Sequence, residues 1–368
     1  MNPPGPHLAI FLPSLGGGGA EKVMLALASE FTRMGIRCDI VIAIPEGQLL
    51  SSVPQGVRLI SLDKKKTLSA TGALAQYLRK ERPDVLLATV FTANITALLA
   101  SRFVPATRVV LREASLPSID VITKSWLGTQ LNRLAARLLY RFTDASIALA
   151  ERLRQDILEM GLLPEGKIHV IPNPLMGIHE PARWAKGSQP QIVACGRLEK
   201  QKDVATLITA FGLLRESHPA HLTILGEGSL RAPLEQQARD LGLSEHITFT
   251  GFVKDPSQYL RRSDVFVHTA IYEGFSNVVL EALACGCSVV ATDCPSGVRE
   301  ALDNGRYGAL VPMKDPSAVA QAVAAILRGD LTFPCPEAHL RSFEVAMIAQ
   351  RYISVLFPDR TPLIPDRT

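Results

Sequence analysis

Short β-branched runs alternate with longer amphipathic segments along most of the chain. Such runs are typical of buried parallel strands, and the segments between them are typical of the helices that cover a parallel sheet. The first half predicts strands at residues 7–13, 38–44, 57–63, 84–90, 108–112, 145–149 and 167–171, with helices at 20–35, 69–82, 124–142 and 151–161. The second half predicts strands at residues 191–196, 222–226, 247–252, 264–268, 288–292 and 309–312, with helices at 203–217, 230–241, 277–285 and 316–327.

The alternation is interrupted at residues 172–190, where Pro, Gly and polar residues give the composition of a linker. A chain of 368 residues is too long for one ordinary core and about right for two. The sequence therefore predicts an α/β fold with two Rossmann-like domains, residues 1–180 and 190–335, facing each other across a ligand-binding cleft. A C-terminal helix at about residues 340–357 is a candidate for packing back onto the first domain.

Composition and charge narrow the range of partners. Apolar residues make up 47% and charged residues 20% of the chain, which is a globular composition. The net charge is +6 over residues 1–185 and −2 over residues 186–368, so the first half favours anionic surfaces or acceptors. No dense Lys/Arg stripe with interleaved aromatic residues occurs, and nucleic acid is not an expected partner.

Cysteine usage and the N-terminal segment bear on the compartment. The six cysteines form no CxxC pair, so we interpret them as thiols of a reducing compartment and predict no zinc site. The apolar run at residues 8–12 has no basic segment before it, and no run of about 18 apolar residues occurs elsewhere. The sequence predicts a cytoplasmic protein that is soluble or at most peripheral to a membrane.

A glycine-rich loop, SLGGGGAE at residues 14–21, follows the first predicted strand. Its four glycines let the backbone approach a ligand closely, and the next helix offers free N–H groups at its positive end. The loop matches neither the GxGxxG fingerprint nor a P-loop. It favours an anion site, with a permissive strand-to-helix turn as the alternative.

Two cations follow the first strand of the second half, in the segment GRLEKQKD at residues 196–203. The planar guanidinium of Arg197 can bind two oxygens at once, and the ammonium group of Lys202 is a compact positive charge. Together they suit a diphosphate. Asp203 is positioned to cap the following helix. We interpret Lys200 as a solvated charge.

The segment YEGFSNVVLEALACG at residues 272–286 combines two carboxylates with a helix start. Ser276 or Asn277 can cap a helix that Gly286 ends, which leaves Glu273 in the preceding loop and Glu281 about one turn into the helix. Carboxylates accept hydrogen bonds from sugar hydroxyls, and a helix N-terminus attracts phosphate. The pattern predicts a site for a phosphorylated sugar.

The E-x7-E motif formed by Glu273 and Glu281 resembles the retaining glycosyltransferases of family 4, which have the GT-B fold. The resemblance covers nearly the whole chain, through SLGGGGAEKV, GRLEKQKD, LTILGEG, ITFTGFV, SDVFVHTAIYEGFSN, SVVATDCPSGVREAL and YGALVPMKD. It implies transfer of a hexose or N-acetylhexosamine from a nucleotide-sugar to a glycan or lipid-linked glycan of a bacterial surface. A UDP-sugar is expected from the similarity of the GGGGAEK and CPSG segments.

The resemblance also implies a role for each matching position. Arg197, Lys202 and Glu273 would act catalytically, the two cations by holding the donor diphosphate and stabilising the departing phosphate. Glu273 would contact the transferred sugar, and Glu281 would accept from the ribose hydroxyls. The remaining donor contacts are implied at Gly17, Gly18, Phe252, Val253, Gly274, Phe275, Ser276, Asn277 and Val278. Phe252 and Val253 would lie at the nucleobase.

We expect neither a metal nor a cofactor, because the nucleotide-sugar is a substrate and fixed cations can neutralise the leaving phosphate. The chain contains no Asp-x-Asp sequence that would hold a divalent metal ion. The family reaction retains anomeric configuration by same-face attack assisted by the leaving phosphate, so no enzyme nucleophile is assigned.

The chain also departs from the family pattern. The family's sugar-contacting histidine of the first domain is replaced in the segment LREAS at residues 111–115. Glu113 could contact donor or acceptor, or could be a structural carboxylate paired with Arg112. His268 receives no role, and Thr269-Ala270 replaces the family's Pro-Ser.

The predicted helix at residues 124–142 carries leucines together with Arg133, Arg137 and Arg141 at four-residue spacing. A basic amphipathic helix can lie on an anionic membrane, but we expect this one to pack its apolar side on its own sheet. Peripheral membrane contact stays open because of the positive first half.

Two other functions remain possible on the sequence. A nucleotide-sugar 2-epimerase shares the two-domain fold but lacks the E-x7-E pattern, and a non-catalytic subunit would bind nucleotide-sugar without turnover.

Overall fold

The computed structural model describes residues 5–122, 125–177 and 189–359. The chain divides into two compact units, one formed by Met1–Met176 together with Ser342–Thr368 and the other by Gly177–Arg341. Most of the predicted linker, residues 178–188, lies outside the described residues. No helix of the described ranges is both long enough and apolar enough to cross a membrane.

The first unit is built on a seven-stranded parallel sheet. Its strands are β1 His7–Leu12, β2 Arg37–Ile42, β3 Arg58–Ser61, β4 Val85–Thr89, β5 Arg108–Glu113, β6 Ala145–Ala148 and β7 Ile168–Val170. They lie in the order β3-β2-β1-β4-β5-β6-β7, and every pairing is parallel. This is the strand order of a Rossmann-like sheet, in which the chain reverses its direction of winding between β1 and β4.

Seven helices of the described chain belong to the first unit. They are α1 Gly19–Arg33, α2 Thr71–Glu81, α3 Phe91–Ser101, α4 Pro117–Asp120, α5 Trp126–Tyr140, α6 Glu151–Glu159 and α14 Val345–Leu356. Helix α3 lies where the sequence pattern predicted no helix. Its residues are buried on most sides, Asn94 and Thr96 included, so it lacks the one-sided apolar period that reveals a surface helix.

The C-terminal helix α14 completes the core of the first unit. Ile348, Tyr352 and Leu356 are fully buried in one cluster with β1 and the apolar side of α1. Their spacing of four residues places them on one face of the helix. The last part of the described chain therefore stabilises the unit that contains its first strand.

The second unit contains a six-stranded parallel sheet in the order β10-β9-β8-β11-β12-β13. Its strands are β8 Gln191–Cys195, β9 His221–Leu225, β10 Ile247–Gly251, β11 Val265–His268, β12 Ser288–Thr292 and β13 Ala309–Val311. Its helices are α7 Val204–Arg215, α8 Arg231–Asp240, α9 Ser257–Leu260, α10 Asn277–Ala284, α11 Val298–Ala301, α12 Pro316–Arg328 and α13 Glu337–Arg341. The predicted α/β class is confirmed, because both units carry the same Rossmann strand order.

Helix α5 contradicts the expected packing. It buries the narrow side that carries Ala136 and Tyr140. Its apolar stripe is exposed, at 75% for Trp126, 62% for Leu127, 58% for Leu131, 55% for Leu134 and 48% for Leu138. The prediction of an inward apolar side was wrong because the helix turns Tyr140 inward, where its hydroxyl donates to buried Glu113 over 3.1 Å.

Candidate functional site

The winding of the second unit reverses between β8 and β11, which are neighbours in its sheet. The connections that leave these two strands cover opposite faces of the sheet, so their loops diverge and leave a crevice at the carboxyl edge. The loop after β8 carries Arg197 and Lys202, and the loop after β11 carries Glu273. The strand order thus brings together loops that are far apart in sequence.

The loop after β8 packs tightly on the loop after β9. Gly196 N donates to Leu225 O over 3.0 Å, and Leu198 N donates to Glu227 O over 2.8 Å. A Cβ added at Gly226 would lie 1.9 Å from Gly196 O, and Gly226 also has a φ of 141°. Only glycine fits this close approach between two backbones.

A short turn at Lys200–Lys202 is hydrogen-bonded to the segment after β11. Thr269 Oγ1 donates to Lys202 O over 3.0 Å, and Ile271 N donates to Gln201 O over 2.9 Å. Gln201 Nε2 donates to Tyr272 O over 2.9 Å. These bonds fix the position of Lys202 against the loop that carries Glu273.

Lys202 and Glu273 form an ion pair between Nζ and Oε1, 71 residues apart in sequence. The side chains are only 16% and 12% exposed, so the pair is largely shielded from water. The Coulomb attraction between the two charges is greater in such surroundings than on the surface, because water screens it less. Two of the three residues predicted to act catalytically are therefore in direct contact.

Arg197 lies on the same loop but is exposed, with its Nη2 3.5 Å from Gln201 Oε1. Lys200 is exposed as well, in agreement with its interpretation as a solvated charge. Asp203 is the N-cap residue of α7, and its backbone O accepts from Thr206 N over 3.1 Å, but its carboxylate accepts from Thr206 Oγ1 over 2.7 Å rather than from a backbone N–H of the helix. The predicted side-chain cap is wrong because Asp203 has a left-handed backbone, with φ 46°.

The loop from Glu273 to the start of α10 is held against the loop after β12. Glu273 N donates to Pro295 O over 3.3 Å, and Gly297 N donates to Gly274 O over 3.1 Å. The Phe275 side chain is 7% exposed, and a Cβ added at Gly297 would lie 2.2 Å from its ring. The ring of Phe275 therefore packs inside the unit.

Helix α10 begins at Asn277, with Ser276 as its N-cap residue. The Ser276 hydroxyl makes no cap hydrogen bond, and its buried Oγ has no hydrogen-bond partner within the described chain. The predicted serine cap is wrong in this respect. Val278 lies in the first turn and Glu281 about one turn into the helix, as its spacing from Glu273 predicted.

The two residues implied at the nucleobase follow strand β10. Phe252 is 67% exposed, whereas Val253 is partly buried. Because its ring is so exposed, Phe252 offers a flat apolar surface at the carboxyl edge of the sheet. Gly251, the residue before Phe252, has a φ of 79° and turns the chain out of strand β10.

His268 is the residue that the sequence interpretation missed. It ends β11, is 3% exposed, and places Nε2 3.4 Å from Glu273 Oε1. Burial lowers its pKa to about 4, so the imidazole is neutral near pH 7. The available signal was a polar residue ending the apolar run VFVH, directly before the loop of Glu273.

In the first unit, the glycine-rich loop joins β1 to α1. Leu15 N donates to Glu46 O and Leu49 N donates to Leu15 O, each over 3.1 Å. Gly17 has a φ of 107°, and Gly18 is the N-cap residue of α1. A Cβ at Gly18 would lie 2.5 Å from Glu21 Oε2, so the loop is crowded on that side.

Glu113 lies at the end of β5 and is 1% exposed. Its Oε1 accepts from Tyr140 over 3.1 Å and from Asn94 Nδ2 over 3.2 Å. Burial raises its pKa to about 8. The suggested pairing with Arg112 is wrong, because that guanidinium donates to Thr89, Asn173 and Tyr352.

Comparison with known proteins gives the family. The description Glycosyl transferase 4-like domain fits residues 18–174, and Glycosyl transferases group 1 fits residues 189–329. A Campylobacter jejuni protein, N-acetylgalactosamine-N,N'-diacetylbacillosaminyl-diphospho-undecaprenol 4-alpha-N-acetylgalactosaminyltransferase, is 30% identical over 343 residues, covering 88% of this chain and 90% of the relative. The chain belongs to the group 1 glycosyltransferases. The prediction of a glycosyltransferase is thereby confirmed.

Solved structures agree with the fold of this glycosyltransferase. Anabaena HepE in complex with UDP and glucose is 21% identical, with a TM-score of 0.76 over 95% of this chain and 98% of that chain. A glycosyltransferase from Rickettsia africae is 17% identical, with a TM-score of 0.78 over 96% of this chain and 99% of that chain. The predicted GT-B class, with two Rossmann-like units, is confirmed.

Proposed function

We propose that this glycosyltransferase is a retaining, family 4 enzyme that moves a hexose or N-acetylhexosamine from a UDP-sugar to a glycan or lipid-linked glycan of a bacterial surface. The observation that carries the proposal is the contact between Lys202 and Glu273 at the carboxyl edge of the second sheet. A cation for the donor phosphates and a carboxylate for the sugar hydroxyls lie side by side there. Arg197 stands at the start of the same loop.

The charge that develops on the leaving diphosphate is met, in this proposal, by groups of the protein. Lys202 and Arg197 supply two positive charges, and the N-terminus of α10 supplies a dipole. Donors that are already oriented stabilise developing charge without reorganising, and removing one costs roughly 3–4 kcal/mol in comparable oxyanion sites. We therefore propose a reaction that requires neither a metal ion nor a cofactor.

The proposed acceptor is supported by the relative and by helix α5. The name of the Campylobacter protein describes a sugar linked through diphosphate to undecaprenol, an apolar isoprenoid alcohol. The exposed apolar stripe of α5 is flanked by exposed Arg137 and Arg141. A helix that combines leucines with arginines can lie at the surface of an anionic membrane. We propose that the enzyme reaches its acceptor at the cytoplasmic face in this way.

The experiment has two stages. Thermal shift with UDP, GDP and ADP first identifies the nucleotide, and transfer from UDP-glucose, UDP-galactose, UDP-GlcNAc and UDP-GalNAc to undecaprenyl-diphosphate-linked acceptors is then measured with and without EDTA. We expect transfer in EDTA that is abolished in Glu273→Ala and Lys202→Ala. Lys200→Ala, which removes an exposed lysine of the same turn, is the matched control and should stay active.

Each alternative gives a different result in this assay. A 2-epimerase converts UDP-GlcNAc without any acceptor, which NMR of the sugar detects directly. A binding subunit shows a thermal shift but no turnover. Wild-type activity in both Glu273→Ala and Lys202→Ala would remove the proposed site, and loss of activity in EDTA that added Mg²⁺ restores would remove the metal-independent reaction.

A further inference from the structure

The imidazole of His268 has no assigned task, yet it lies beside the ion pair of the proposed site. Its Nε2 is buried and makes no hydrogen bond within the described residues, although Glu273 Oε1 is 3.4 Å away. A buried polar atom without a partner is rare, because it has lost its hydrogen bonds to water and gained none in the protein. The arrangement is thus costly while Glu273 is paired with Lys202.

Glu273 and the diphosphate of a nucleotide-sugar would compete for the ammonium group of Lys202. Lys202 Nζ is occupied by the same Glu273 oxygen that faces His268. A diphosphate offers several anionic oxygens, which attract an ammonium group more strongly than one carboxylate does. When Lys202 turns to the diphosphate, Glu273 loses its charged partner at a position where only 12% of its side chain is exposed.

A shielded carboxylate that has lost its cation needs another hydrogen-bond donor. A neutral imidazole carries one N–H, and His268 Nε2 stands at 3.4 Å from the oxygen that Lys202 leaves. The backbone next to His268 is held in place, because Thr269 Oγ1 donates a hydrogen bond to Lys202 O. A small rotation of the Glu273 carboxylate is then enough to close this hydrogen bond.

We propose that His268 is a positioning residue that takes over Glu273 from Lys202 when the donor diphosphate binds, and so orients the carboxylate toward the sugar. The inference rests on the proposed function, because it assumes a diphosphate donor at Lys202. In the ligand-free protein, Lys202 and Glu273 hold each other. With donor bound, Lys202 serves the phosphates and His268 holds Glu273.

The test separates binding of the nucleotide from use of the sugar. His268→Leu removes the N–H donor, whereas His268→Gln keeps a donor on a side chain of similar reach. We expect His268→Leu to bind UDP with nearly the wild-type Kd but to lose roughly 10- to 100-fold in kcat, the range for a hydrogen bond to a charged group. His268→Gln should recover most of kcat.

Val267→Ala controls for packing, because Val267 precedes His268 in β11 and is 2% exposed but carries no polar side-chain atom. It should lower the apparent Tm without reducing kcat. Equal kcat in His268→Leu and wild type would overturn the inference while leaving the proposed function in place. Equal losses in His268→Leu and His268→Gln would also overturn it.

A second measurement does not depend on turnover. In protein labelled with ¹⁵N-histidine, the His268 signal is identified by its absence from the His268→Gln spectrum. Adding UDP, or GDP or ADP if that is the nucleotide bound, should move the Nε2–H proton downfield as the bond to Glu273 forms. A bound nucleotide that leaves this signal unchanged would refute the inference, and failure of all three nucleotides to bind would refute the proposed function with it.

Discussion

Arg112 Nε donates to the hydroxyl of Tyr352 over 3.0 Å, and this hydrogen bond joins β5 to helix α14 across 240 residues of sequence. Both side chains are fully buried. The other guanidinium nitrogens donate to Thr89 Oγ1 over 2.8 Å and to Asn173 Oδ1 over 2.5 Å. A buried guanidinium is thus satisfied by three neutral oxygens, one of which belongs to the C-terminal helix.

Tyr352→Phe is predicted to destabilise the first unit. The ring still fills its place in the core, but Arg112 Nε is left without its acceptor, which costs about 1–3 kcal/mol. We expect a lower apparent Tm in differential scanning calorimetry. Tyr259→Phe, at a 37% exposed tyrosine of the second unit, is the control. An unchanged Tm in Tyr352→Phe would show that the bond to Arg112 does not contribute to stability.

Glu113 is predicted to make stability depend on pH. Burial raises the pKa of Glu113 from 4.5 to about 8. Between pH 4.5 and pH 8, the carboxyl group is therefore protonated in the folded protein but ionised in the unfolded chain. The contribution of this group to stability is therefore full below about pH 4.5 and is lost as the pH rises through about 8, at roughly 1.4 kcal/mol per pH unit.

Glu113→Gln, which has a similar shape and never ionises, should lack this dependence. Relative to wild type, the variant should gain apparent Tm between pH 5 and pH 9. The control is Glu245→Gln at an exposed carboxylate, whose curve should run parallel to wild type. A Glu113→Gln curve that also runs parallel would mean that Glu113 is not held in its protonated form.

The apolar stripe of α5 is predicted to bind anionic vesicles. Replacing both Leu131 and Leu134 by Glu places two negative charges where lipid contact is proposed. It also removes two leucine side chains, each of which contributes about 1.5–3 kcal/mol to binding if it is buried in lipid. Co-sedimentation with phosphatidylglycerol–phosphatidylethanolamine vesicles should fall more than about tenfold. The apparent Tm should change little, since both leucines are exposed.

Leu213→Glu is the matched control, because Leu213 is an exposed leucine of the second unit at 41%. It should leave vesicle binding as in wild type. Equal binding by wild type and the double variant would exclude the α5 stripe as the membrane contact, and equal loss in Leu213→Glu would point to a general charge effect.

Gly226→Ala is predicted to disrupt the loop after β8. The new methyl group would lie 1.9 Å from Gly196 O, and a backbone oxygen cannot yield as a flexible side chain can. We expect loss of nucleotide binding by thermal shift and a lower Tm. Gly242 has a positive φ, 68°, and no atom within 4 Å of the new Cβ, so Gly242→Ala measures the effect of a left-handed backbone without a clash. Equal effects of the two substitutions would contradict this explanation.

The class of the fold and the loops that carry the proposed site could be predicted from the amino-acid sequence. Alternating β-branched and amphipathic segments encode parallel strands and covering helices locally, since side-chain periodicity differs between strand and helix. The loops that carry Arg197, Lys202 and Glu273 could be found because they follow predicted strands. Helix α3 could not, because a helix buried on most sides loses that periodicity.

Which of these side chains come into contact could not be predicted before the folded structure was known. The pairing of Lys202 with Glu273, and the position of His268 beside them, follow from β8 lying next to β11, a property of strand order rather than of any segment. Periodicity likewise shows that α5 has an apolar side but not whether anything covers it. Local sequence fixes backbone conformation and the direction of side chains, whereas contact and burial depend on residues distant in the chain.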